Sequence, residues 1–379
     1  MDLQEVRNKI DAIDDKIAKL YAERMELAAD VAENKAKDGL QVENSEREKQ
    51  IISRVTAGLP EGMKLYCKQV FETMFETSKA YQYGVVDGKS PVKDEIRNAL
   101  ENGLKPFPVQ ASVACQGVSG AYSCLAAEKI FPIPSISCFR SWEGVFSAVE
   151  KGFCEFGVLP VENSTVGSVI GVYDLMRKHK FFIVKSIKLR LRHYLLAAEG
   201  VKPEDIKEIV SHDQALSQCS EFVASLGDIK VTRCDNTAVA AKTVAESGRK
   251  DIACISSREC ADIYGLQILK SGISDSNNNY TRFIAISKKM NVYEGANRIS
   301  ITVNLAHEAG SLNRLLNKFS ALGLNLTKLE SRPIPDSPFE FTFYFDFEAD
   351  VRGTAVQNLL AGIEMKAENF AFLGAYEEM

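Results

Sequence analysis

The chain of 379 residues lacks most of what would place it at a membrane, on nucleic acid or around a metal. No apolar run approaches the ~20 residues that a membrane helix needs. Charge does not lean positive: 46 basic residues meet 51 acidic ones, a formal net charge of -5. No basic field therefore exists to hold a nucleic-acid backbone, and an anionic ligand must be held by local cations. Only four histidines occur, His179, His193, His212 and His307, and the nine cysteines form no Cys-x-x-Cys pair. That scarcity argues against a zinc site and a disulfide framework, and reduced thiols in a cytoplasmic protein are expected. The start, Met1-Asp2-Leu3-Gln4-Glu5, is polar and acidic, unlike a signal or transit peptide. No metal and no cofactor is expected. What remains is ordinary globular composition, 45% hydrophobic and 26% charged, in a chain long enough for two or three domains.

Three regions carry three different periods. In residues 1–83, Val6, Ile10, Ile13, Ile17, Leu20, Leu27 and Val31 follow a 4-3-4-3 rhythm, with Arg24 in the missing place. A helix from about Leu3 to Asp38 would be ~54 Å long, too long to bury its seam in a small monomer, so it asks for a partner chain. A second helix is expected from Asn44 or Ser45 to Gly58, and a third from Glu61 to Tyr83. Gly84, Gly88, Pro91, Gly103, Pro106 and Pro108 punctuate a linker in which 92–102 has room for a short helix. Residues 110–290 alternate short β-rich runs with helical stretches, which predicts an α/β domain with a mostly parallel sheet. Residues 298–379 read strand, helix, strand, strand, helix, strand, the order of a ferredoxin-like α+β unit. There Phe339, Phe341, Phe343, Phe345 and Phe347 share one strand face, as packing against two helices requires.

Polar residues in the helical seams carry the chemical signal. A guanidinium at Arg24 is costly to bury without a partner, and Lys35, eleven residues on, points the same way. Their side chains would clamp a dianion of metabolite size; the alternative for Arg24 is an ion pair with a core carboxylate. Arg7 lies about 100° round the helix and faces elsewhere, toward a partner chain. On the third helix Phe71, Phe75, Ser78 and Gln82 share a face, so two polar groups continue a buried stripe and each needs a partner. Ser45-Glu46-Arg47-Glu48 matches a capping box, which leaves Glu48 either a helix cap or a site carboxylate. Such a pocket holds no nucleophile–base pair, no metal set and no phosphate loop. It suits a reaction that needs only shape and electrostatics.

In the second region, Gln116-Gly117-Val118-Ser119-Gly120-Ala121-Tyr122-Ser123 joins a strand to a helix. It is neither a P-loop nor a dinucleotide fingerprint, but its free N–H groups suit an anion. Glu162-Asn163-Ser164, Ser211-His212 with Gln218, and Thr281-Arg282-Phe283 sit at expected strand ends, where open α/β sheets place ligands.

The set Arg7, Arg24, Lys35, Arg47-Glu48, Ser78 and Gln82 resembles the all-helical chorismate mutases at the family's spacing, with Asn44 where that family usually has Asp. The resemblance implies an intertwined dimer that rearranges chorismate to prephenate. Arg24, and Arg7 from the other chain, would hold the carboxylates. Lys35 and Gln82 would face the ether oxygen, and Glu48 the ring hydroxyl. The blocks of the second region, with Tyr264-Gly265-Leu266, resemble prephenate dehydratase, which implies two α/β lobes of periplasmic-binding-protein-like form. Thr281 would assist the departing hydroxyl, and Asn163, Ser164, Ser211, Gln218 and Arg282 would position prephenate. His212 is the acid–base candidate by residue type, yet the resemblance gives the role to Thr281. Glu308-Ala309-Gly310-Ser311-Leu312 and Glu330-Ser331-Arg332-Pro333 resemble the two motifs of the ACT module, with Gly310, Ser311, Leu312, Glu330, Ser331 and Arg332 binding phenylalanine as a feedback inhibitor.

The ordered set resembles the bifunctional chorismate mutase/prephenate dehydratase family, with expected domains at 1–86, 110–290 and 297–379 and a linker at 87–109. A cytoplasmic homodimer or tetramer is implied. Three rivals remain: a helical region that mainly dimerises or regulates, arogenate as the substrate, and a non-catalytic amino-acid sensor.

Overall fold

The computed structural model describes the chain except residues 1, 39–41, 43, 86–89, 102, 309 and 335–339, and the side chains of 36 and 83–85. The expected strand start at Phe339, the linker glycine Gly88 and the motif residue Ala309 lie outside the described residues. The chain forms two compact units, one joining Met1–Gly103 to Asn297–Phe372, the other joining Leu104–Ala296 to Leu373–Met379.

The first unit opens with α1 (Leu3–Lys37), α2 (Ser45–Thr56) and α3 (Glu61–Val85), each within two residues of its expected bounds. The start of α2 corrects one expectation. Asn44, not Ser45, is the cap, and its Oδ1 accepts from Arg47 N at 2.9 Å. Glu48 is thereby released from a capping role. The expected linker holds α4 (Pro91–Leu100), with proline in its first turn and Ser90 as its cap. Ser90 Oγ donates to Glu364 Oε2 at 2.6 Å and Val92 N donates to Glu364 Oε1 at 3.2 Å, so a carboxylate satisfies the helix start.

The second unit has two lobes. One contains β1 (Gln110–Gln116), α5 (Tyr122–Ile130), β2 (Ile133–Phe139), α6 (Trp142–Glu150), β3 (Phe156–Asn163), β4 (Gly167–Ser168), α7 (Ile170–His179) and β5 (Phe182–Arg190). The other contains β6 (Tyr194–Ala198), β7 (Glu208–Ser211), α8 (Asp213–Ser217), α9 (Ser220–Ser225), β8 (Lys230–Arg233), α10 (Thr237–Ser247), β9 (Ile252–Ser256), α11 (Arg258–Tyr264) and β10 (Leu266–Lys270). The chain then returns as β11 (Tyr280–Ser287) to the first lobe. The orders are β5-β11-β3-β1-β2 and β10-β6-β9-β7-β8. Both sheets are mixed rather than mostly parallel. β1 runs parallel to β2 and β3, and β7 to β8 and β9. β11 lies antiparallel between β3 and β5, and β6 antiparallel between β9 and β10. The two crossings between lobes impose this, since a strand returning from the other lobe enters its sheet reversed.

The first unit is completed by β12 (Arg298–Asn304), α12 (Ser311–Ala321), β13 (Asn325–Pro333), β14 (Phe341–Glu348) and α13 (Thr354–Glu364), and β15 (Asn369–Glu378) ends the chain. The element order is the expected one, with sheet order β13-β14-β12-β15. Phe345 and Phe347 pack on Phe319 of α12 with ring centroids 5.6 and 5.0 Å apart, so this end of the phenylalanine stripe is core, while Phe341 and Phe343 are half-buried. Helix α3 packs on both α12 and α13.

Strand β15 passes from the first unit into the second after Phe372. Its end pairs with β5, Glu377 opposite Lys185 and Glu378 opposite Ser186. Gly374 permits this approach: its φ is +141°, and a Cβ there would lie 2.2 Å from the backbone oxygen of Ile183. Backbone cannot yield as a side chain can. Gly374→Ala is expected to destabilise the second unit by about 2–4 kcal/mol in urea unfolding. A change below about 0.5 kcal/mol would show that β15 is not seated on β5.

Candidate active sites

The first site is a cavity of about 340 Å³ walled by α1, α2 and α3, within the usual range for small-molecule pockets. Seven expected residues line it: Arg24, Lys35, Asn44, Arg47, Glu48, Ser78 and Gln82. Arg7 does not; it stands exposed further up α1. Arg24 is half-buried, with its guanidinium 5.6 Å from the Phe75 ring centroid and Nη1 3.5 Å from Met74 O. Among the described residues it thus lies against a ring face and a carbonyl rather than a carboxylate. Lys35 Nζ donates to Val42 O at 2.6 Å. Gln82 Nε2 donates to Ser78 Oγ at 3.1 Å, while Gln82 Oε1 is buried without a hydrogen-bond partner among the described residues.

One further lining residue is not singled out by the sequence motifs. Lys79, 4% exposed, pairs with Glu76 and lies 3.2 Å from Glu48 Oε1. It follows Phe75 by four residues, so the helical stripe that flags Ser78 and Gln82 contains the signal.

The second site lies where the chain crosses between the lobes of the second unit. Asn163 at the end of β3 is buried, and its Nδ2 donates to Thr281 Oγ1 and to Asn279 Oδ1, both at 2.9 Å. Thr281 therefore accepts one bond and keeps its own proton for another acceptor. Asn163 Oδ1 accepts from Thr165 Oγ1 at 2.6 Å, and Thr165 accepts from Gln218 Nε2 at 2.9 Å. Gln218 Oε1 in turn accepts from Asn279 Nδ2 at 2.8 Å and lies 3.0 Å from His193 Nε2. One continuous network thus links Thr281, Asn163, Thr165, Gln218, Asn279 and His193 across both lobes. Ser164 pins the returning crossover, donating to Asn278 O at 2.8 Å and accepting from Tyr280 N at 2.9 Å.

Two expected residues stand apart. Ser211 is fully buried and donates to Ile255 O at 2.7 Å, a bond between β7 and β9. Arg282 follows Thr281 on the strand and points to the other face, where Nη2 donates to Tyr376 OH at 2.5 Å and Nε lies 2.8 Å from Glu378 Oε2. His212 is the N-cap of α8, accepting from Gln214 N at 3.3 Å. The histidine of the network is His193, which carries no flanking motif. Burial holds its pKa below the ordinary value against the opposing bond to Gln218. With Nε2–H given to Gln218, Nδ1 is an acceptor, buried and without a hydrogen-bond partner among the described residues.

At the third candidate site, Asn304 and Arg332 both stand opposite Thr342 of β14. The ends of β12 and β13 thus share one edge of the sheet, two strands or ~10 Å apart. Gly310, Ser311 and Leu312 lead from that edge into α12, and Gly310 caps it at φ +83°. Ser331 and Arg332 lie on β13 with Glu330, which pairs with Arg332 at 2.6 Å and with Lys328 at 3.2 Å.

Two family models match the chain, chorismate mutase type II over residues 6–83 and prephenate dehydratase over residues 113–291. A bifunctional chorismate mutase/prephenate dehydratase of Buchnera aphidicola is 30% identical, the match covering 98% of this chain and 95% of that protein. Arogenate dehydratase/prephenate dehydratase 2 of Arabidopsis thaliana is 36% identical, covering 79% of this chain and 80% of its own. A solved prephenate dehydratase of Arthrobacter aurescens in complex with L-Phe is similar with a TM-score of 0.64 and 25% identity, over 70% of this chain and 89% of that one.

The lowered pKa of His193 fixes a sign. Below the ordinary value of ~6.5 the unfolded chain binds a proton that the native site refuses, so stability falls as pH drops. Urea unfolding from pH 7 to pH 5 is expected to lose less stability in His193→Asn than in the parent. Parallel losses would place His193 in a solvated setting.

Proposed function

The chain belongs to the bifunctional chorismate mutase/prephenate dehydratase family, and from that premise we propose which residues carry its two reactions and where they are controlled. The isomerase activity converts chorismate to prephenate; the lyase activity converts prephenate to phenylpyruvate, carbon dioxide and water.

The first pocket carries the mutase. The rearrangement is pericyclic and needs no proton transfer or nucleophile. One bond breaks at the ether oxygen while a carbon–carbon bond forms, and negative charge grows on that oxygen. Lys35 and Gln82 face it and stabilise the transition state more than the substrate. Arg24, with Arg7 of the partner subunit, holds the two carboxylates. Glu48 accepts the bond from the ring hydroxyl, and Asn44, Arg47 and Ser78 complete the wall. The observation that supports this most is the gathering of seven residues, from three helices, around one cavity. A second copy of the chain is the partner. Ile10, Ile13, Ile17 and Leu20 lie 50–63% exposed along α1, and a seam of that kind is buried by association.

The Thr281 network carries the dehydratase. As the ring carboxylate leaves as carbon dioxide, its bonding pair enters the ring and expels hydroxide, which gains a proton to become water. Thr281, fixed by Asn163, donates its hydrogen bond to the departing oxygen. Aromatisation supplies the driving force, so stabilising the leaving group suffices. Gln218 and Ser164 hold the walls, and neutral His193 offers an acceptor. Prephenate is the substrate that the mutase on the same chain supplies. Arogenate is the second reading, favoured by the name of the Arabidopsis relative.

Residues 297–379 act as an ACT module, with phenylalanine held between Gly310-Ser311-Leu312 and Glu330-Ser331-Arg332 and inhibiting the dehydratase. The shared sheet edge and the solved relative in complex with L-Phe support this. Coupling of ~1–3 kcal/mol changes substrate affinity about 5–150-fold.

Chorismate fed to purified variants separates the two sites. Lys35→Ala should lower mutase turnover by ~100–1000-fold and leave turnover of supplied prephenate unchanged. Thr281→Val should accumulate prephenate. An unaffected mutase in the first, or normal phenylpyruvate output in the second, would remove that residue from its role. Titration with phenylalanine should inhibit the parent dehydratase at concentrations several-fold below those needed for Glu330→Ala. Equal curves would place the effector elsewhere.

A further inference from the structure

Among its described lining residues, the mutase pocket places one carboxylate, Glu48, beside a cation that substrate chemistry does not call for. Glu48 must present an oxygen to the ring hydroxyl, yet Arg24, Lys35 and Arg47 line the same cavity. A carboxylate free to turn would pair with one of those cations and withdraw it from the substrate's own carboxylates. Lys79 answers this geometry. It is buried at 4% exposure with Nζ 3.2 Å from Glu48 Oε1, and it emerges from α3, opposite the α2 backbone that carries Glu48. Lys79 is itself held. Glu76, one turn earlier and 8% exposed, pairs with it. The other carboxylate oxygen of Glu76, Oε2, is buried at a small void shared with Asn358 of α13, and neither it nor Asn358 Oδ1 has a hydrogen-bond partner among the described residues. Glu76 and Glu48 thus hold Lys79 between two carboxylates.

We propose that Lys79 is a positioning residue of the mutase: it fixes Glu48 in the orientation that receives the substrate hydroxyl, and Glu76 fixes Lys79. This rests on the assignment of Glu48 given above. The charges of the described residues agree with it. Among them four cations line the cavity, and two carboxylates, Glu48 and Glu76, stand against Lys79. Cations thus outnumber carboxylates among these described residues, as a dianion requires.

The test is a double-mutant cycle on the full-length protein with chorismate as the substrate. Lys79→Met keeps the length of the side chain and removes its charge. It is expected to lower mutase kcat/KM about tenfold, in the range measured for contacting pairs, with turnover of supplied prephenate unchanged. Lys79→Arg should recover most of the loss. In a Glu48→Gln background, Lys79→Met should cost less than twofold more, because there is no longer a carboxylate to orient. A purely structural lysine would cost the same in both backgrounds, and that result overturns the proposal, as does full mutase activity in Lys79→Met. If Lys79→Met fails to fold, Glu76→Leu/Lys79→Met removes the orphaned carboxylate as well. It is expected to fold and to show the same tenfold loss. Should Glu48→Gln alone leave the mutase intact, the assignment of Glu48 fails, which is a separate result.

Discussion

A surplus of positive charge in one small cavity organises the helical region. Arg24, Lys35, Arg47 and Lys79 converge on a space of about 340 Å³ in which Glu48 is the lining carboxylate. Cations brought that close repel one another, and desolvating them costs more. The fold tolerates the arrangement because α1 and α3 bury apolar surface beside it, with Ala28, Ala32 and Phe75 deep in the packing. A ligand with two carboxylates relieves that repulsion. Lys35, held by Val42 O, and Lys79, held by Glu48 and Glu76, are placed before the ligand arrives, and charges placed in advance cost little reorganisation as charge shifts to the ether oxygen.

Much of this is legible in the sequence. The rhythm from Val6 to Val31 reports one long helix because nothing breaks it, and Arg24 stands out because it interrupts that rhythm. Asn44 and Glu48 are harder. A box read from Ser45 to Glu48 satisfies the spacing rule, yet Asn44 one residue earlier competes for the cap and wins, a choice that backbone geometry decides. Lys79 stays hidden because a lysine beside a glutamate three residues away resembles a solvated surface pair. His193 stays hidden for a different reason. Its importance comes from Gln218 and Asn279, which are distant in sequence, whereas His212 sits inside a motif and is a helix cap. Strand β2 hides behind Pro134, which an edge strand tolerates. Strand β6 hides because Leu195, Leu196 and Ala197 form a short apolar run with no period of its own.

The second unit applies a different solution. The polar side chains of its Thr281 network are neutral, and they sit where two crossovers connect the lobes. Asn163 and Thr281 belong to neighbouring antiparallel strands and face each other in register, and the Asn163 amide then fixes the hydroxyl. Gln218 then ties this strand pair to the other lobe through Thr165 and Asn279. On the opposite face of the same strand, Arg282 is gripped by Tyr376 and Glu378 from the end of β15. The last residues of the chain therefore brace the strand that carries Thr281, although in sequence they belong to the last strand of the C-terminal α+β region. For that reason a boundary drawn from sequence at residue 297 does not separate the two units.

The central claim is that the helical pocket recognises the geometry and charge of a dianionic transition state. The most direct measurement is calorimetric binding of a stable bicyclic dicarboxylate shaped like that transition state, compared with the KM for chorismate. Binding at least ~100-fold tighter than substrate, with most of the gain lost for the matching monocarboxylate, is the predicted result. An affinity no better than that for chorismate, or one indifferent to the second carboxylate, would contradict the account.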